Sequence, residues 1–92
     1  MIKSFRHKGL RRLFENDDGS KFPPDMLDHI KLILSTLQAS EEIEGMNVST
    51  FHLHSLKGVL KGRYAVTVRA NWRIIFRFEN GNAFDVDFVD YH

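Results

Sequence analysis

Residues 63–78 constrain the fold more than any other stretch, because apolar and polar side chains alternate along two successive segments. Side chains at every second position of a β-strand point to the same face of a sheet. The alternation predicts two strands, folded back on each other near Asn71, with one face against a core. The apolar positions are Tyr64, Val66, Val68, Trp72, Ile74, Phe76 and Phe78. The opposite face is expected to carry Thr67, Arg69, Arg73 and Arg77.

The second face of this hairpin belongs to a strongly basic part of the chain. Residues 55–78 contain six Lys or Arg residues and no acidic residue. Residues 1–14 contain five bases and no acid, whereas residues 79–90 contain four acids and no base. The net charge of +1 hides this segregation, and local patches govern association more than the total does. A cationic sheet face predicts phosphate-backbone binding, because Arg matches phosphate oxygens bidentately.

Length and composition limit the classes of protein to consider. Ninety-two residues suffice for one small domain and are too few for two, so residues 1–92 are expected to form a single domain. The absence of Cys excludes disulfides, zinc–thiolate sites and Cys nucleophiles. No apolar run approaches the roughly 20 residues of a membrane span, and no apolar signal-peptide core follows the basic N-terminus. We therefore expect a soluble cytoplasmic protein.

Two helices are expected to precede the hairpin. Leu10, Leu13 and Phe14 recur at helical spacing, and the turn-forming residues 16–20 end that helix. A second helix is predicted to begin at residues 23–25, since Pro and Asp both favour a first helical turn. Its apolar stripe is expected to cover a sheet and consists of Met26, Leu27, Ile30, Ile33, Leu34 and Leu37.

The rest of the pattern predicts strands. Residues 2–5 could form a short first strand, and four further strands are predicted at residues 51–56, 64–69, 72–79 and 83–89. Asn80 and Gly81 mark a hairpin between the last two. The predicted fold class is α+β, with two N-terminal helices packed on an antiparallel β-sheet.

The length of that last hairpin loop decides which residues face the core. A two-residue loop would pair Phe76 with Asp85 and place acids on the apolar face, because a one-residue slip reverses every side chain. We therefore predict a three-residue loop at residues 80–82. This loop pairs Phe76 with Val86 and Phe78 with Phe84, and it sets Arg77 opposite Asp85.

Side chains suited to metal-free RNA cleavage occur along the second half of the chain. The reaction needs a base for the ribose 2′-hydroxyl, cations for the phosphate charge and an acid for the 5′ leaving oxygen. Histidine titrates near neutrality and can serve as base or acid. The candidates are His54, Lys57, Asn71, Arg73, Asp90, Tyr91 and His92.

Simpler interpretations apply to the same residues. His52 and His54 could share a strand face as metal ligands, but no third ligand is apparent, and a metal site is not expected. Arg73 and Arg77 could form solvated ion pairs with the aspartates at positions 85 and 87. The last two residues, 91 and 92, could be a frayed tail.

Several short motifs resemble one family. They are MIKSF at residues 1–5, LHSLKG at 53–58, VRANWRI at 68–74, NG at 80–81 and DYH at 90–92. Together they span almost the whole chain, and they are similar to the HigB toxins of bacterial toxin–antitoxin modules, a branch of the RelE-like ribonucleases. The resemblance implies the RelE-like fold and an endoribonuclease that cuts mRNA in the ribosomal A site without a metal cofactor. It also implies inhibition by a HigA-like helix-turn-helix antitoxin, with operator DNA contacted only through the antitoxin complex, and no membrane partner.

The resemblance also implies roles for individual residues. His92 is expected to be the general base or a proton shuttle, and His54 a second imidazole for acid–base work or phosphate contact. Lys57 and Arg73 would stabilise the phosphate. Asp90 would have an orienting role, and Tyr91 would stack on or position the scissile nucleotide. The division of acid and base among His54, Tyr91 and His92 stays open. Asn71 is expected to contact RNA.

Two basic patches are expected to dock on ribosomal RNA. One consists of Arg6, Lys8, Arg11 and Arg12, and the other of Lys57, Lys61 and Arg63. Two other functions fit the same sequence, because fold alone does not decide function. ParE-like toxins share the fold and inhibit DNA gyrase, and a basic domain could also bind nucleic acid without cutting it.

Overall fold

The computed structural model of the protein describes residues 1–90. Two helices, α1 (Lys8–Asn16) and α2 (Pro24–Ala39), precede a four-stranded antiparallel sheet. The strands are β1 (His54–Ser55), β2 (Arg63–Arg69), β3 (Trp72–Glu79) and β4 (Asn82–Asp90), in that spatial order. The predicted α+β fold class is confirmed. Within residues 1–90, no helix is long and apolar enough to cross a bilayer.

Local sequence explains where the two helices begin and end. The imidazole Nδ1 of His7 accepts a hydrogen bond from the Leu10 N–H at 3.2 Å and so caps α1. Asp17, with φ of 54°, ends α1 in the left-handed conformation. In the following turn, hydrogen bonds from the Ser20 side chain and backbone lower the pKa of Asp18. Helix α2 opens on Pro24, as predicted.

The core lies between the helices and the face of the sheet turned towards them. The predicted stripe of α2 is buried except for Leu27, which is half-buried. From the sheet, the fully buried side chains are Val66, Ile74, Phe76 and Val86. Burying a side chain of this kind stabilises a fold by about 1.5–3 kcal/mol, so the alternation in β2 and β3 fixes which face is inside.

The N-terminal segment, residues 1–6, lies beside β4 and carries less regular structure than predicted. Two isolated parallel bridges, Ile2 to Ala83 and Phe5 to Val86, replace the expected strand at residues 2–5. The Lys3 N–H donates to the Ala83 carbonyl at 2.7 Å, and the Arg6 N–H donates to the Val86 carbonyl at 2.9 Å. Within residues 1–90, no strand pairs with the other edge of this segment.

The predicted three-residue loop between β3 and β4 is wrong. Glu79 pairs with Asn82 across a two-residue turn in which Asn80 and Gly81 both have positive φ, at 50° and 77°. This turn suits the right-handed twist of a hairpin. Phe78 consequently pairs with Ala83 rather than with Phe84.

A β-bulge then corrects the register. Arg77 lies opposite Phe84, whereas Ile75 lies opposite Asp87, so one extra residue is absorbed between these pairs. Asp85 takes the unusual backbone conformation there, with φ of 55°. Val86 thereby points into the core, and the acids stay off the apolar face. The bulge therefore restores the register that the three-residue loop was expected to set, with Val86 on the apolar face.

The predicted strand at residues 51–56 is also mostly wrong, because only His54–Ser55 forms a strand. Phe51 ends a short 3₁₀ turn, Ser49–Phe51, and is fully buried in the main core. Leu56 is buried in a second cluster with Ala65 and Ile75 on the opposite face of the sheet. Phe51 and Leu56 therefore pack into different clusters on opposite faces of the sheet, and a continuous strand over residues 51–56 does not form.

Candidate active site

The face of the sheet turned away from the helices, here called the outer face, carries His54 and Arg73. His54 lies opposite Ala65, and Arg73 lies opposite Thr67, two residues further along β2. Residues opposite each other on neighbouring strands share a face. Strand spacing of about 4.8 Å and a rise of about 3.4 Å per residue place the His54 and Arg73 Cα atoms roughly 12 Å apart. Their long side chains can therefore reach one phosphodiester between them.

The guanidinium of Arg73 is folded over the β2–β3 turn. Its Nη1 donates to the Ala70 carbonyl at 2.6 Å and to the Trp72 carbonyl at 3.2 Å. Its Nε is buried without a hydrogen-bond partner in the described chain, which ordinarily costs about 1–3 kcal/mol. Arg73 forms no ion pair within residues 1–90. The interpretation of Arg73 as an ion-pair partner is therefore not supported by these contacts.

Arg77, four residues further along β3, differs from Arg73 because acidic side chains surround its guanidinium. Its Nη1 lies 2.8 Å from a Glu79 oxygen, and its Nε lies 3.8 Å from an Asp85 oxygen. The guanidinium also lies over the ring of Phe84, 4.4 Å from the ring centroid. The same Asp85 oxygen is 3.6 Å from Nη2 of Arg63. Of the two arginines considered as ion-pair partners in the sequence analysis, Arg77 forms such pairs.

His54 presents a proton acceptor to solvent. Its Nδ1 lies 3.1 Å from the His52 carbonyl oxygen, and its side chain is exposed. A carbonyl oxygen only accepts hydrogen bonds, so Nδ1 carries the proton of the neutral ring and Nε2 keeps its lone pair. His52 itself lies outside the strand, with φ of 50°. The two histidines therefore do not form the strand pair considered as metal ligands.

A cationic groove adjoins His54 at the β1 edge. It has a volume of about 490 Å³ and is lined by Ser55, Leu56, Lys57, Gly58, Lys61, Gly62, Arg63 and Tyr64. We call it the β1-side groove. The structure thus brings together the three basic residues predicted as the second patch. Lys57 directly follows Leu56, which is buried on the outer face, and Lys57 lines this groove.

A second cationic groove lies at the other edge of the sheet. It has a volume of about 660 Å³ and is lined by Arg6, His7, Lys8, Gly9, Arg12, Lys21 and Asp87. We call it the N-terminal groove. Asp87 lies opposite Ile75 and thus belongs to the outer face. Lys21 was not among the basic residues predicted for the N-terminal patch, because in the sequence it is an isolated base in a turn-rich stretch.

Arg11 is separated from the other members of the predicted N-terminal patch. It lines a different cavity, with Phe14 and Glu15, on the other side of α1. Successive helical residues are about 100° apart around the axis, so Arg11 and Arg12 point in different directions. The predicted patch is therefore divided between two cavities, with Arg6, Lys8 and Arg12 in one and Arg11 in the other.

The end of the sheet nearest Arg73 holds two further candidates. Asn71 is exposed in the β2–β3 turn, and Asp90 lies opposite Trp72 at the end of β4. Trp72 stacks on Phe88, with ring centroids 4.8 Å apart, and this contact fixes the strand ends against each other. Tyr91 and His92 lie outside the described residues. The structure therefore gathers Asn71, Arg73 and Asp90 at one end of the sheet, with Arg73 on the outer face and Asp90 on the face that carries Trp72.

Comparison with known proteins assigns the family. The family model described as the RelE-like toxin of the type II toxin–antitoxin system HigB matches residues 3–92. Endoribonuclease HigB from Proteus vulgaris is 46% identical over 92 residues, which cover 100% of both chains. The chain belongs to the HigB family of RelE-like toxins. The resemblance inferred from the short motifs is confirmed. As a HigB family toxin of a type II system, the chain has an antitoxin as partner.

Solved structures of other toxins share the HigB-family fold of this chain. The YoeB dimer from Staphylococcus aureus aligns with a TM-score of 0.60 at 16% identity, covering 99% of this chain and 94% of that chain. YafQ from E. coli strain BL21(DE3) aligns with a TM-score of 0.57 at 13% identity, covering 98% and 91%. At these identities the likeness supports the RelE-like fold alone.

Proposed function

We propose that this protein is an endoribonuclease toxin that cuts mRNA held in the ribosomal A site. Family membership and the full-length relative named Endoribonuclease HigB support the endoribonuclease class. The single observation that carries the site assignment is the outer face itself. On this face, His54 and Arg73 lie between the two cationic grooves. The imidazole of His54 is exposed, with Nε2 free of the contact to the His52 carbonyl. The guanidinium of Arg73 forms no ion pair in the described chain.

The proposed reaction is an internal transfer of the phosphate. A base removes the proton of the ribose 2′-hydroxyl, and the 2′ oxygen attacks the adjacent phosphorus. The bond from phosphorus to the 5′ oxygen breaks, and an acid protonates that leaving oxygen. The products are a 2′,3′-cyclic phosphate and a 5′-hydroxyl end. In this proposal His54 and His92 divide the two proton transfers, with Tyr91 positioning the nucleotide.

The cations have a separate task in the proposed mechanism. Negative charge grows on the nonbridging phosphate oxygens in the transition state, and donors fixed in advance stabilise it. Arg73 is held in place by the two turn carbonyls. In this proposal its guanidinium donates to a phosphate oxygen. Lys57, in the β1-side groove, adds a second positive charge. Asp90, at the end of β4, is proposed to orient the neighbouring catalytic groups.

The two grooves suit the proposed docking on ribosomal RNA. They flank the outer face and together present six basic residues besides Lys57, namely Arg6, Lys8, Arg12, Lys21, Lys61 and Arg63. We further propose that the antitoxin is of the HigA-like helix-turn-helix type, and that operator DNA is contacted only through the complex with it. Because translating ribosomes are cytoplasmic, this proposal also implies that the protein acts in the cytoplasm.

Cleavage is expected to require the ribosome. The site is rich in cations and poor in strong bases at pH 7, which suits a substrate that another body positions. The test incubates the purified protein with translating ribosomes or with naked mRNA and maps the new 5′ ends. Rapid cutting of naked mRNA at low enzyme concentration contradicts the proposal. Inhibition of DNA gyrase without RNA cleavage supports the ParE-like alternative.

Ribosome binding is expected to lose salt sensitivity when the N-terminal groove is neutralised. Each phosphate contact contributes about 0.7–0.9 to the slope of log affinity against log salt, through counterion release. The variant Arg6→Gln, Lys8→Gln, Arg12→Gln is therefore expected to flatten that slope by about 2 to 3. The single variant Arg11→Gln is the control, since Arg11 lines a different cavity. Equal slopes for the triple variant and wild type in a binding titration contradict the assignment.

A further inference from the structure

Helix α1 separates two grooves of different chemistry. On one side lies the N-terminal groove, whose lining is almost entirely basic and polar. On the other side lies a cavity of about 310 Å³ lined by Ile2, Lys3, Ser4, Phe5, Arg11, Phe14 and Glu15. This second cavity includes two aromatic rings and an Ile, whereas a surface that tracks a phosphate backbone is lined mainly by cations. The contrast suggests that the two sides of α1 contact different partners.

The second cavity continues across Phe14 towards α2. A smaller cavity of about 160 Å³ is lined by Leu13, Phe14, Lys31, Leu34 and Ser35. Phe14 is half-buried and lies against Phe5, with ring centroids 5.6 Å apart. Both cavities are lined in part by Phe14, and the apolar part of their lining is formed by Ile2, Phe5, Leu13, Phe14 and Leu34. We call this surface, lined by the two sets of residues given above, the Phe14 furrow.

The charges of the furrow favour an acidic partner. Lys3, Arg11 and Lys31 line it, against the single carboxylate of Glu15. Lys31 also lies 3.0 Å from Asp17, but both side chains are largely exposed. Exposed pairs of this kind contribute about 0–1 kcal/mol and exchange easily for another carboxylate. An apolar floor with a basic rim matches a protein segment that carries an apolar anchor flanked by Asp or Glu.

We propose that the Phe14 furrow is the docking surface for the antitoxin. The antitoxin places an apolar side chain over Phe14 and Phe5, and its carboxylates contact Lys3 and Arg11. The inference rests on the antitoxin partnership of the HigB family and on the proposed HigA-like type of that antitoxin. It is independent of the catalytic roles of His54 and Arg73.

Charge reversal on the two sides of α1 provides a matched test. The experiment titrates the purified full-length toxin with its HigA-type antitoxin by calorimetry. Arg11→Glu is expected to weaken binding about tenfold or more, because it sets like charges against each other at a central contact. Arg12→Glu, one residue along the same helix but in the N-terminal groove, is expected to change the antitoxin affinity less than about threefold. Both residues are exposed, so neither change removes core volume.

A second variant probes the apolar floor. Phe14→Ala is expected to weaken antitoxin binding about tenfold or more, with melting measured to confirm a folded protein. If Phe14→Ala does not fold, Phe14→Leu keeps most of the volume and is still expected to weaken binding severalfold. Antitoxin affinities within twofold of wild type for both Arg11→Glu and the folded Phe14 variant overturn the proposal.

Two other occupants of the furrow give different results. If a second copy of this chain occupies it, sedimentation shows a toxin dimer that Phe14→Ala dissociates, with antitoxin affinity unchanged. If RNA occupies it, Arg11→Glu weakens ribosome binding and leaves antitoxin binding intact. Either result overturns the proposal. Failure of the wild-type toxin to cleave mRNA on ribosomes would instead contradict the proposed function, and the calorimetric comparison would still stand.

Discussion

Replacing Arg73 with alanine is expected to reduce ribosome-dependent mRNA cleavage by about 10²-fold or more, with the fold preserved. The side chain lies on the outer face, while its neighbour Ile74 points into the core, so truncation removes charge and no core packing. The loss follows from the missing guanidinium, which the turn holds ready for a phosphate oxygen. Cleavage is measured by mapping mRNA ends on translating ribosomes, and toxicity by expression in a bacterial host.

Folding of the Arg73 variant is checked separately. Its two hydrogen bonds to turn carbonyls are part-exposed, and a typical hydrogen bond contributes about 0.5–1.5 kcal/mol. A loss of 1 kcal/mol lowers the melting temperature of a domain of this size by about 4–8 °C. A modest decrease is therefore expected, offset in part because the buried Nε is removed too. A collapse of the melting transition would mean that Arg73 is structural.

Arg77→Ala is the matched control for Arg73→Ala. Arg77 has the same residue type and lies on the same strand, but it is paired with Glu79 and Asp85 and rests on Phe84. Its loss is expected to change cleavage only a few-fold, because its charge is already compensated. Equal losses for the two variants would indicate a general effect of positive charge. Full activity of Arg73→Ala would show that Arg73 is a surface residue without a role in the reaction.

The elements with strong periodicity were predicted from the sequence. The alternation in residues 63–78 gave the two central strands, and the helical stripe of α2 is buried as expected. These patterns are reliable because burying an apolar face is the dominant favourable term in folding. The same alternation placed Arg73 outside the core.

Register and short elements were not predictable in the same way. The bulge at Asp85 depends on a residue accepting φ of 55° while Ser4 Oγ accepts its backbone N–H at 2.9 Å. That contact joins residues 81 positions apart and leaves no local pattern. The strand at residues 51–56 failed for a related reason, since its apolar residues belong to two clusters on opposite faces of the sheet.

The candidate site mixes predictable and unpredictable parts. The residue types and the orientation of Arg73 followed from sequence, whereas the placement of His54 opposite Ala65 needed the tertiary fold. Likewise, Lys21 lines the N-terminal groove beside Gly9, where α1 comes close to it. A Cβ at Gly9 would come within 3.0 Å of the Lys21 Cβ and 2.8 Å of the His7 Cε1. The separation of Arg11 from Arg12 follows from the rotation of about 100° between successive helical residues.

Deleting Tyr91 and His92 is expected to abolish detectable cleavage while the remaining 90 residues still fold. Strand β4 ends at Asp90, which lies opposite Trp72, and its core positions Val86 and Phe88 stay in place. Phe84, which was expected in the core, contacts Arg77 instead and is also retained. Termini usually tolerate such a cut with little consequence. Stability should therefore stay close to that of the full chain.

The loss of activity has a chemical cause in this proposal. The deletion removes an imidazole proposed for proton transfer and an aromatic ring proposed for nucleotide positioning. A proton-transfer group contributes roughly 10²- to 10⁴-fold to a rate, so the loss of both groups takes cleavage below detection. The full-length variant Tyr91→Phe, His92→Gln is the matched control, because it removes the phenol and the imidazole and keeps chain length and ring.

Three outcomes separate the roles of the last two residues. Native-like circular dichroism and melting, without cleavage in either variant, support proton transfer by this end of the chain. Native-like melting with full cleavage would assign the proton transfers to His54 and leave residues 91 and 92 without a catalytic role. Unfolding of the 90-residue chain alone would show a structural role, and the full-length double variant then decides the chemistry, since it alters the two functional groups without shortening the chain.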